Sequence, residues 1–427
     1  MDGTANTATW TINQGVTLTS QAYNLDAAGS TTNPFHSTIN INGGTLSMQT
    51  NAGLWTLAGG TINMNNSGGQ WAYVAHDVLV LGAGAVNGTI NVGGGGVSDI
   101  TAPLESAATT VPGGNVINVF NQSSLVVNAF GSNTNAVLTK TGLGTVYVEG
   151  SQAHGVGSQV IVSQGTFDID TDCGTAGANL ALNASGGVTN MVSNQYLSTL
   201  TVGSGAKVAI TPVAFPNPRL VVVTTLFMNG GTLDVGDNDV ICQNGNLTSI
   251  WLSLLGGYSG GTWTGVNGIN SSNAAADTAH LHAVGAIQNK SPTNQPLYPT
   301  LDGQNSVTTD VLVRYTYYGD TNLDGKVDGS DYSRVDAAYL ADRVNPTAMT
   351  GWYNGDFNYD GTVDGSDYTL MDNAFNTQGA QLAASIDNPG AQATDLVAAG
   401  AAAVPEPSSL LLLAVGAGAL GRRRRPA

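Results

Sequence analysis

Gly60-Thr-Ile-Asn-Met64 and Gly88-Thr-Ile-Asn-Val92 repeat one phrase: a glycine turn, a threonine, then aliphatics alternating with polar residues. The phrase stands also at Gly44-Thr-Leu-Ser-Met48, Gly144-Thr-Val-Tyr-Val148, Gly165-Thr-Phe-Asp-Ile169 and Gly231-Thr-Leu-Asp-Val235. Alternation places Leu46 and Met48, or Ile62 and Met64, on one face of a strand and the polar partners on the other. The spacings of 16, 28, 56, 21 and 66 residues are irregular. They fit one or more coils of about 15 to 25 residues, each burying its apolar face only against its neighbours. A β-sandwich would also give short alternating strands. The missing hairpin signature and the Asn-Gly-Gly turns favour a solenoid, so residues 1–248 are expected to form a right-handed parallel β-helix and the chain to be mainly β.

Composition agrees. Of 427 residues 57 are Gly and only 10% are charged, while 41% are hydrophobic. That excludes both a Lys/Glu-rich helical protein and a disordered chain. A net charge of −17 excludes nucleic acid as a partner, because a phosphate backbone needs a basic face. The charge is uneven: eleven of the 29 acids lie between Asp320 and Asp372, and four of the 12 basic residues are Arg422–Arg425. Cys173 and Cys242 are too few for a disulfide framework; one bridge and two buried thiols are both compatible. The start, Met1-Asp-Gly-Thr-Ala, has neither a basic nor an apolar leader segment, and a leader is expected upstream of it.

Catalytic constellations are sparse in the first 240 residues, whose only basic side chains are Lys140, Lys207 and Arg219. Asp234, Asp237 and Asp239 read as a polar turn between two rungs. His36, His76 and His154 are isolated, and His280 with His282 lacks a third metal ligand. Leu138-Thr-Lys-Thr-Gly-Leu-Gly-Thr-Val-Tyr-Val148, continuing to Val160-Ile-Val-Ser-Gln-Gly-Thr-Phe167, resembles the autotransporter-associated β-strand repeat. That resemblance implies a surface or secreted β-helical scaffold and no reaction.

Residues 249–317 change character. Trp251-Leu-Ser-Leu-Leu255 is expected to start a short helix, and strands are expected at His280–Ile287 and Asp310–Tyr317. The aromatics of Gly256-Gly-Tyr-Ser-Gly-Gly-Thr-Trp-Thr-Gly265 suit a sugar-binding groove, but read better as a cap over the open solenoid end. The layout is similar to that of large exported proteins from planctomycete-type bacteria.

Two twelve-residue loops follow, 36 residues apart: Asp320-Thr-Asn-Leu-Asp-Gly-Lys-Val-Asp-Gly-Ser-Asp331 and Asp356-Phe-Asn-Tyr-Asp-Gly-Thr-Val-Asp-Gly-Ser-Asp367. Oxygen donors at positions 1, 3, 5 and 9, a glycine at 6 and an acid at 12 suit one Ca2+ each, which takes roughly six to eight oxygens. The ligands expected in the first loop are Asp320, Asn322, Asp324, the Lys326 carbonyl, a water on Asp328, and Asp331. In the second they are Asp356, Asn358, Asp360, the Thr362 carbonyl, a water on Asp364, and Asp367. Helices are expected at Tyr332–Leu340 and Tyr368–Phe375, with none entering either loop. Loop plus single helix, duplicated over residues 318–379, resembles a type I dockerin, an EF-hand-like module. The resemblance implies two calcium ions and docking onto a cohesin-like domain through loop positions 10 and 11, here Gly329, Ser330, Gly365 and Ser366. Glycine at position 10 departs from the hydroxyl common in that family.

Residues 380–403 read as a linker, and 404–427 as a tail. Ser408–Gly421 would span about 21 Å as a helix, short of the roughly 30 Å of a bilayer core. Pro405-Glu406-Pro407, this apolar span and Arg422, Arg423, Arg424 and Arg425 together resemble the PEP-CTERM sorting signal. That implies exosortase processing, only transient or carboxy-terminal membrane association, and an envelope with exopolysaccharide. The functional expectation is an exported surface or matrix scaffold with calcium-dependent docking. The alternative is a dockerin-borne polysaccharide-active enzyme, a hydrolase or lyase, on a β-helix.

Overall fold

The asparagine of the repeated phrase shows how the rungs stack. Asn63 donates to Asn40 at 2.8 Å, Asn91 to Asn63 at 2.9 Å and Asn118 to Asn91 at 3.2 Å, across separations of 23, 28 and 27 residues. These amides form a ladder up one outer face of a parallel sheet, each carbonyl meeting the next coil's N–H2. The aliphatic residues between them point inward. Ile39, Ile62, Ile90 and Ile117 sit in register, 2% exposed or less. Each such side chain contributes on the order of 1.5–3 kcal/mol by burial.

The structure is a computed structural model. It describes residues 9–382 apart from 15, 21–37, 49–53, 58, 67–71, 77, 175–176, 178, 214–216, 346–348 and 380. The linker and sorting tail therefore lie outside the described residues, as does His36. So do the side chains of Met48 and His76.

The chain is mainly β and coils as a β-solenoid. A 13-stranded sheet and an 11-stranded sheet run along it, joined by a five-stranded third wall built from Leu54–Leu57, Val78–Leu81, Leu104–Ser106, Phe130–Ser132 and Gln152–His154. The phrase serves two walls, which explains its uneven spacing. Gly60 and Gly88 precede strands of the larger sheet; Gly44, Gly144, Gly165 and Gly231 precede strands of the second. Where the third wall is present, coils reach 27 and 28 residues, longer than the expected range. The glycine is required by close approach: a Cβ on Gly144 would run into the carbonyl oxygens of Phe120 and Ser123 on the coil beneath.

Lys140 and His154 bring ionisable groups into the core. Lys140 takes the place of an aliphatic between Ile117 and Val162. Its ammonium donates to the carbonyls of Thr141, Gly142 and Gln164 at 3.0, 2.7 and 2.9 Å, and burial draws its pKa down to about 8. His154 bonds Ser132 at 2.7 Å and Gln152 at 3.2 Å, and burial draws its pKa down to about 4. A histidine that stays neutral when folded but titrates near 6.5 when unfolded costs stability as pH falls. Between pH 6.5 and 4 the unfolded state binds the extra proton, so ΔG should fall by up to about 1.4 kcal/mol per unit from this residue. Urea unfolding of wild type and His154→Gln across that window should converge as pH drops; parallel curves would contradict this.

At residue 243 the solenoid pattern stops. Asn244 adopts a left-handed conformation and Asn246 caps the helix Leu247–Tyr258 by accepting from Ser249 N–H at 2.9 Å. The cap explains why this helix starts earlier than Trp251. The sheet is then closed by two antiparallel pairings, the reversed strand Val311–Tyr317 against Asp239–Cys242, and His282–Gln288 against Val311–Tyr317. The latter strand starts two residues later than expected because His280 is left-handed. His282 instead pairs with Asp277 at 2.6 Å and stacks on Tyr315.

Asp234, Asp237 and Asp239 lie at the expected turn between two rungs, but all three are buried. Asp234 accepts Lys207 at 2.9 Å, and Asp239 meets Arg314 at 3.0 Å in a site where both side chains are 3% exposed or less. Their partners lie 27 and 75 positions away in the chain, too far for local pattern to reveal. Cys173 and Cys242 are both free and buried. Among the described residues no helix is long and apolar enough to cross a membrane.

Candidate metal centre

The duplicated loops lie where the last strand leaves the solenoid. Val311–Tyr317 runs directly into the first loop, and a short 3-10 turn, Trp352–Asn354, leads into the second. Among the described residues no α-helix enters either loop. The following helices are Gly329–Asp342 and Gly365–Thr377, longer than expected at both ends. Their early start has a local cause. Asp328 and Asp364 are N-caps, each accepting from the serine two residues on at 2.8 Å, and Asp331 and Asp367 close reciprocal capping boxes. Position 9, where a water ligand was expected, thus commits one oxygen to the helix terminus in both loops.

The remaining donors fold inward. Asp320 is fully buried; its oxygens accept from the N–H groups of Asp324 at 3.0 Å and Gly325 at 2.7 Å and from the Thr316 hydroxyl. Asn322 accepts from Asp324 N–H at 3.0 Å, and Asp331 from Thr321 N–H at 3.0 Å and Asp328 N–H at 2.9 Å. The second loop repeats this: Asn358 accepts from Asp360 N–H at 2.9 Å, and Asp367 from Phe357 and Asp364 N–H at 2.8 and 3.0 Å. Left-handed Leu323 and Tyr359 at position 4, and Gly325 and Gly361 at position 6, turn each chain around its centre.

Gathering carboxylates in a dry place is electrostatically unfavourable. Burial, then the charges of Asp331 and Asp324, push Asp320 far above the usual carboxylate range. Burial raises Asp331 to about 7 and Asp367 to about 6, against the hydrogen bonds that lower them. Asp324 and Asp356 are raised as well, chiefly by burial. One oxygen of Asp356, Oδ1, is buried without a well-aligned donor, and the Trp251 indole N–H beside it is buried without a well-aligned acceptor. Hard oxygen donors, crowded negative charge and an unsatisfied carboxylate oxygen fit a divalent cation. When bound, Ca2+ would neutralise the cluster. Asp320, Asn322, Asp324 and Asp331 would hold it in the first loop, with Asp356, Asn358, Asp360 and Asp367 in the second.

The loops are not equally covered. In the first, Asp320, Asn322, Asp324 and Asp331 are all buried. Tyr298 donates its hydroxyl to the Asn322 carbonyl at 2.6 Å, Gln381 to the Asp324 carbonyl at 2.7 Å, and Arg314 to the Leu323 carbonyl at 3.2 Å. In the second, Asp360 and Asp364 are exposed. Tyr298, Arg314, Thr316 and Gln381 were missed from sequence because they lie outside the loop pattern; Thr321, inside it, carried no ligand signal.

The module packs on the solenoid end through aromatics. Trp352, 1% exposed, donates to the Asp320 carbonyl at 2.6 Å and meets Phe357 and Tyr359 at centroid distances of 5.0 and 6.1 Å. Tyr359 lies 5.5 Å from Tyr258 and 6.2 Å from Trp263, and donates to the Val284 carbonyl. Trp263 and Tyr258, the aromatics considered for a sugar groove, are therefore enclosed against the module. Gly285 allows the contact, since a Cβ there would collide with the Trp352 ring.

Of the expected partner-binding residues, Gly329, Gly365 and Ser366 are exposed and Ser330 is half-buried. A Cβ on either glycine would meet nothing within 4 Å. Neither needs a left-handed backbone. Gly329→Ser and Gly365→Ser should therefore change stability by less than about 0.5 kcal/mol, as surface substitutions do. A loss above about 1 kcal/mol in urea unfolding would show a hidden constraint at these positions.

No curated protein and no solved structure matches the chain. Residues 318–376 match the Dockerin type I domain and residues 403–425 the PEP-CTERM protein-sorting motif. Dockerin type I domains bind calcium and dock onto cohesins, and the sorting motif implies exosortase processing. The chain is thus an exported, cell-surface or extracellular β-solenoid protein that carries a dockerin type I domain and a PEP-CTERM sorting motif.

Proposed function

We propose that this protein is a surface or matrix scaffold whose solenoid displays a calcium-dependent docking module, with one Ca2+ in each loop. The observation that carries the reading is the module's attachment. Its first loop continues from a solenoid strand and its aromatics interlock with the solenoid end, so calcium would consolidate a rigid platform rather than a tethered tag. Gly329-Ser330 and Gly365-Ser366 on the accessible helix starts would meet a cohesin-like partner, and exopolysaccharide would surround the sorted protein. The scaffold reading is favoured over a polysaccharide-active enzyme by the cleft at the solenoid end: among its described lining residues none is a carboxylate or a base.

The test is affinity capture from the native envelope with the full calcium-loaded chain as bait. The expected result is recovery of a cohesin-like protein that is lost on chelation and in a Ser330→Asp, Ser366→Asp variant. Capture that ignores chelation would count against calcium-dependent docking. Release of reducing ends or unsaturated sugars from envelope polysaccharide would count against the scaffold reading. Recovery of the intact Arg422–Arg425 peptide from the cell surface would argue against processing of the tail.

A further inference from the structure

The strand Leu220–Asn229 has ten residues, while its neighbour on the next coil, Asp239–Cys242, has four and pairs only with Leu220–Val223. Beyond Cys242 the chain turns away into the helix Leu247–Tyr258. The rung above Thr224–Asn229 is therefore missing. Leu226 ends a core column that runs Leu138, Val160, Leu182, Leu200, and Met228 ends the column Val162, Ala184, Val202. Earlier members are fully buried by the coil above; these two are only partly buried.

Their main-chain groups have a defined direction. In this solenoid, inward residues turn C=O and N–H toward the following coil: Ser158 accepts from Ala181 N–H at 2.9 Å, and Val223 from Gln243 N–H at 2.9 Å. Leu226 and Met228, registered on the buried Leu200 and Val202, share that orientation. Among the described residues no strand pairs with them on that side. They face a cleft of about 850 Å3 whose other wall is the helix, with Phe227 51% and Leu252 57% exposed along it. No described residue lining it is charged, in a chain of net charge −17.

We propose that this cleft binds an extended, uncharged polypeptide segment, which adds as a parallel strand beside Thr225–Asn229 and replaces the missing rung. Two pairs of ladder groups, about 7 Å apart along the strand, match the main chain of a β-strand, which presents both a donor and an acceptor at that repeat. A glycan offers hydroxyls without that alternation. The uncovered ends of the two columns call for apolar side chains at alternate positions of the incoming strand. A charged side chain would be desolvated there without a partner, so the segment is neutral. This site is separate from the calcium loops.

The probe is a capped nine-residue peptide with the sequence of Gln195–Gly203, the neutral strand that already pairs with the opposite edge of Leu220–Asn229. It carries a fluorophore and is titrated against the full calcium-loaded chain by anisotropy. Saturable binding is expected with Kd on the order of 10 μM. Methylating alternate backbone nitrogens should abolish it. Phe227→Lys and Leu252→Lys should each weaken it about tenfold, with circular dichroism and melting unchanged because both side chains are exposed. No saturation at about 1 mM, a concentration that would mean only about −4 kcal/mol, overturns the proposal. So does equal binding of the methylated peptide. Binding of cellohexaose that both lysine variants abolish, without peptide binding, would make the cleft a glycan site and equally overturn it.

Discussion

Replacing Arg314 by alanine should lower unfolding free energy by about 3–5 kcal/mol, the range for breaking a buried ion pair from one side. Arg314 is 2% exposed on the reversed strand that ends the solenoid. Its guanidinium meets Asp239 at 3.0 Å and Asp302 at 3.6 Å and donates to the Leu323 carbonyl in the first loop. The alignment with Asp239 is poor, so the contact is mainly Coulombic. Without Arg314, burial and the Asp302 charge would leave Asp239 an uncompensated acid. The loss should be concentrated at the carboxy-terminal end, since solenoid rungs are stabilised by their neighbours. Hydrogen exchange should show faster opening of Asp239–Cys242 and Val311–Tyr317, with Val137–Val162 unchanged. A change below about 1 kcal/mol, the scale of an exposed pair, would mean that water reaches the site.

The second large effect is calcium removal from the full chain. Ligand at a hundredfold excess over Kd stabilises the folded state by about 2.7 kcal/mol per site. Chelation should therefore lower the melting temperature, with the solenoid's β-sheet circular dichroism retained below the transition. The combined substitution Asp324→Ala, Asp360→Ala should abolish that calcium response. In the chelated protein Asp324→Ala alone should be as stable as wild type or more so, because it relieves the repulsion that raises Asp320. Asp360 does not share this, since against the effect of burial hydrogen bonds from Thr362 and Asn358 hold its carboxyl below the usual range. Identical melting of wild type with calcium and with chelator would refute metal binding here. Loss of stability in chelated Asp324→Ala would assign that aspartate to the fold instead.

Much of this was legible in sequence because it is local. Alternation in Gly-Thr-Ile-Asn-Met fixes which side chains face inward, and the loop spacing fixes which oxygens turn toward one centre. Where the helices begin earlier than the sequence pattern suggests, at Gly329 and Gly365, the signal is also local: Asp328 and Asp364, positions of the metal loops, cap the helices as well. The phrase spacing was misleading only because one phrase builds two walls.

What the sequence alone determined is therefore the rung, the loop and the sorting tail, each a pattern within a few dozen residues. Tertiary structure alone decided three things. It paired Asp239 with Arg314, joining two strands that are adjacent only after the chain reverses. It buried Tyr359 against Tyr258 and Trp263, which makes the module part of the solenoid's end. It left Leu226 and Met228 without a covering rung. Each depends on where the chain returns in space, and the energy of burying a charge, a ring or a strand edge is set by that return.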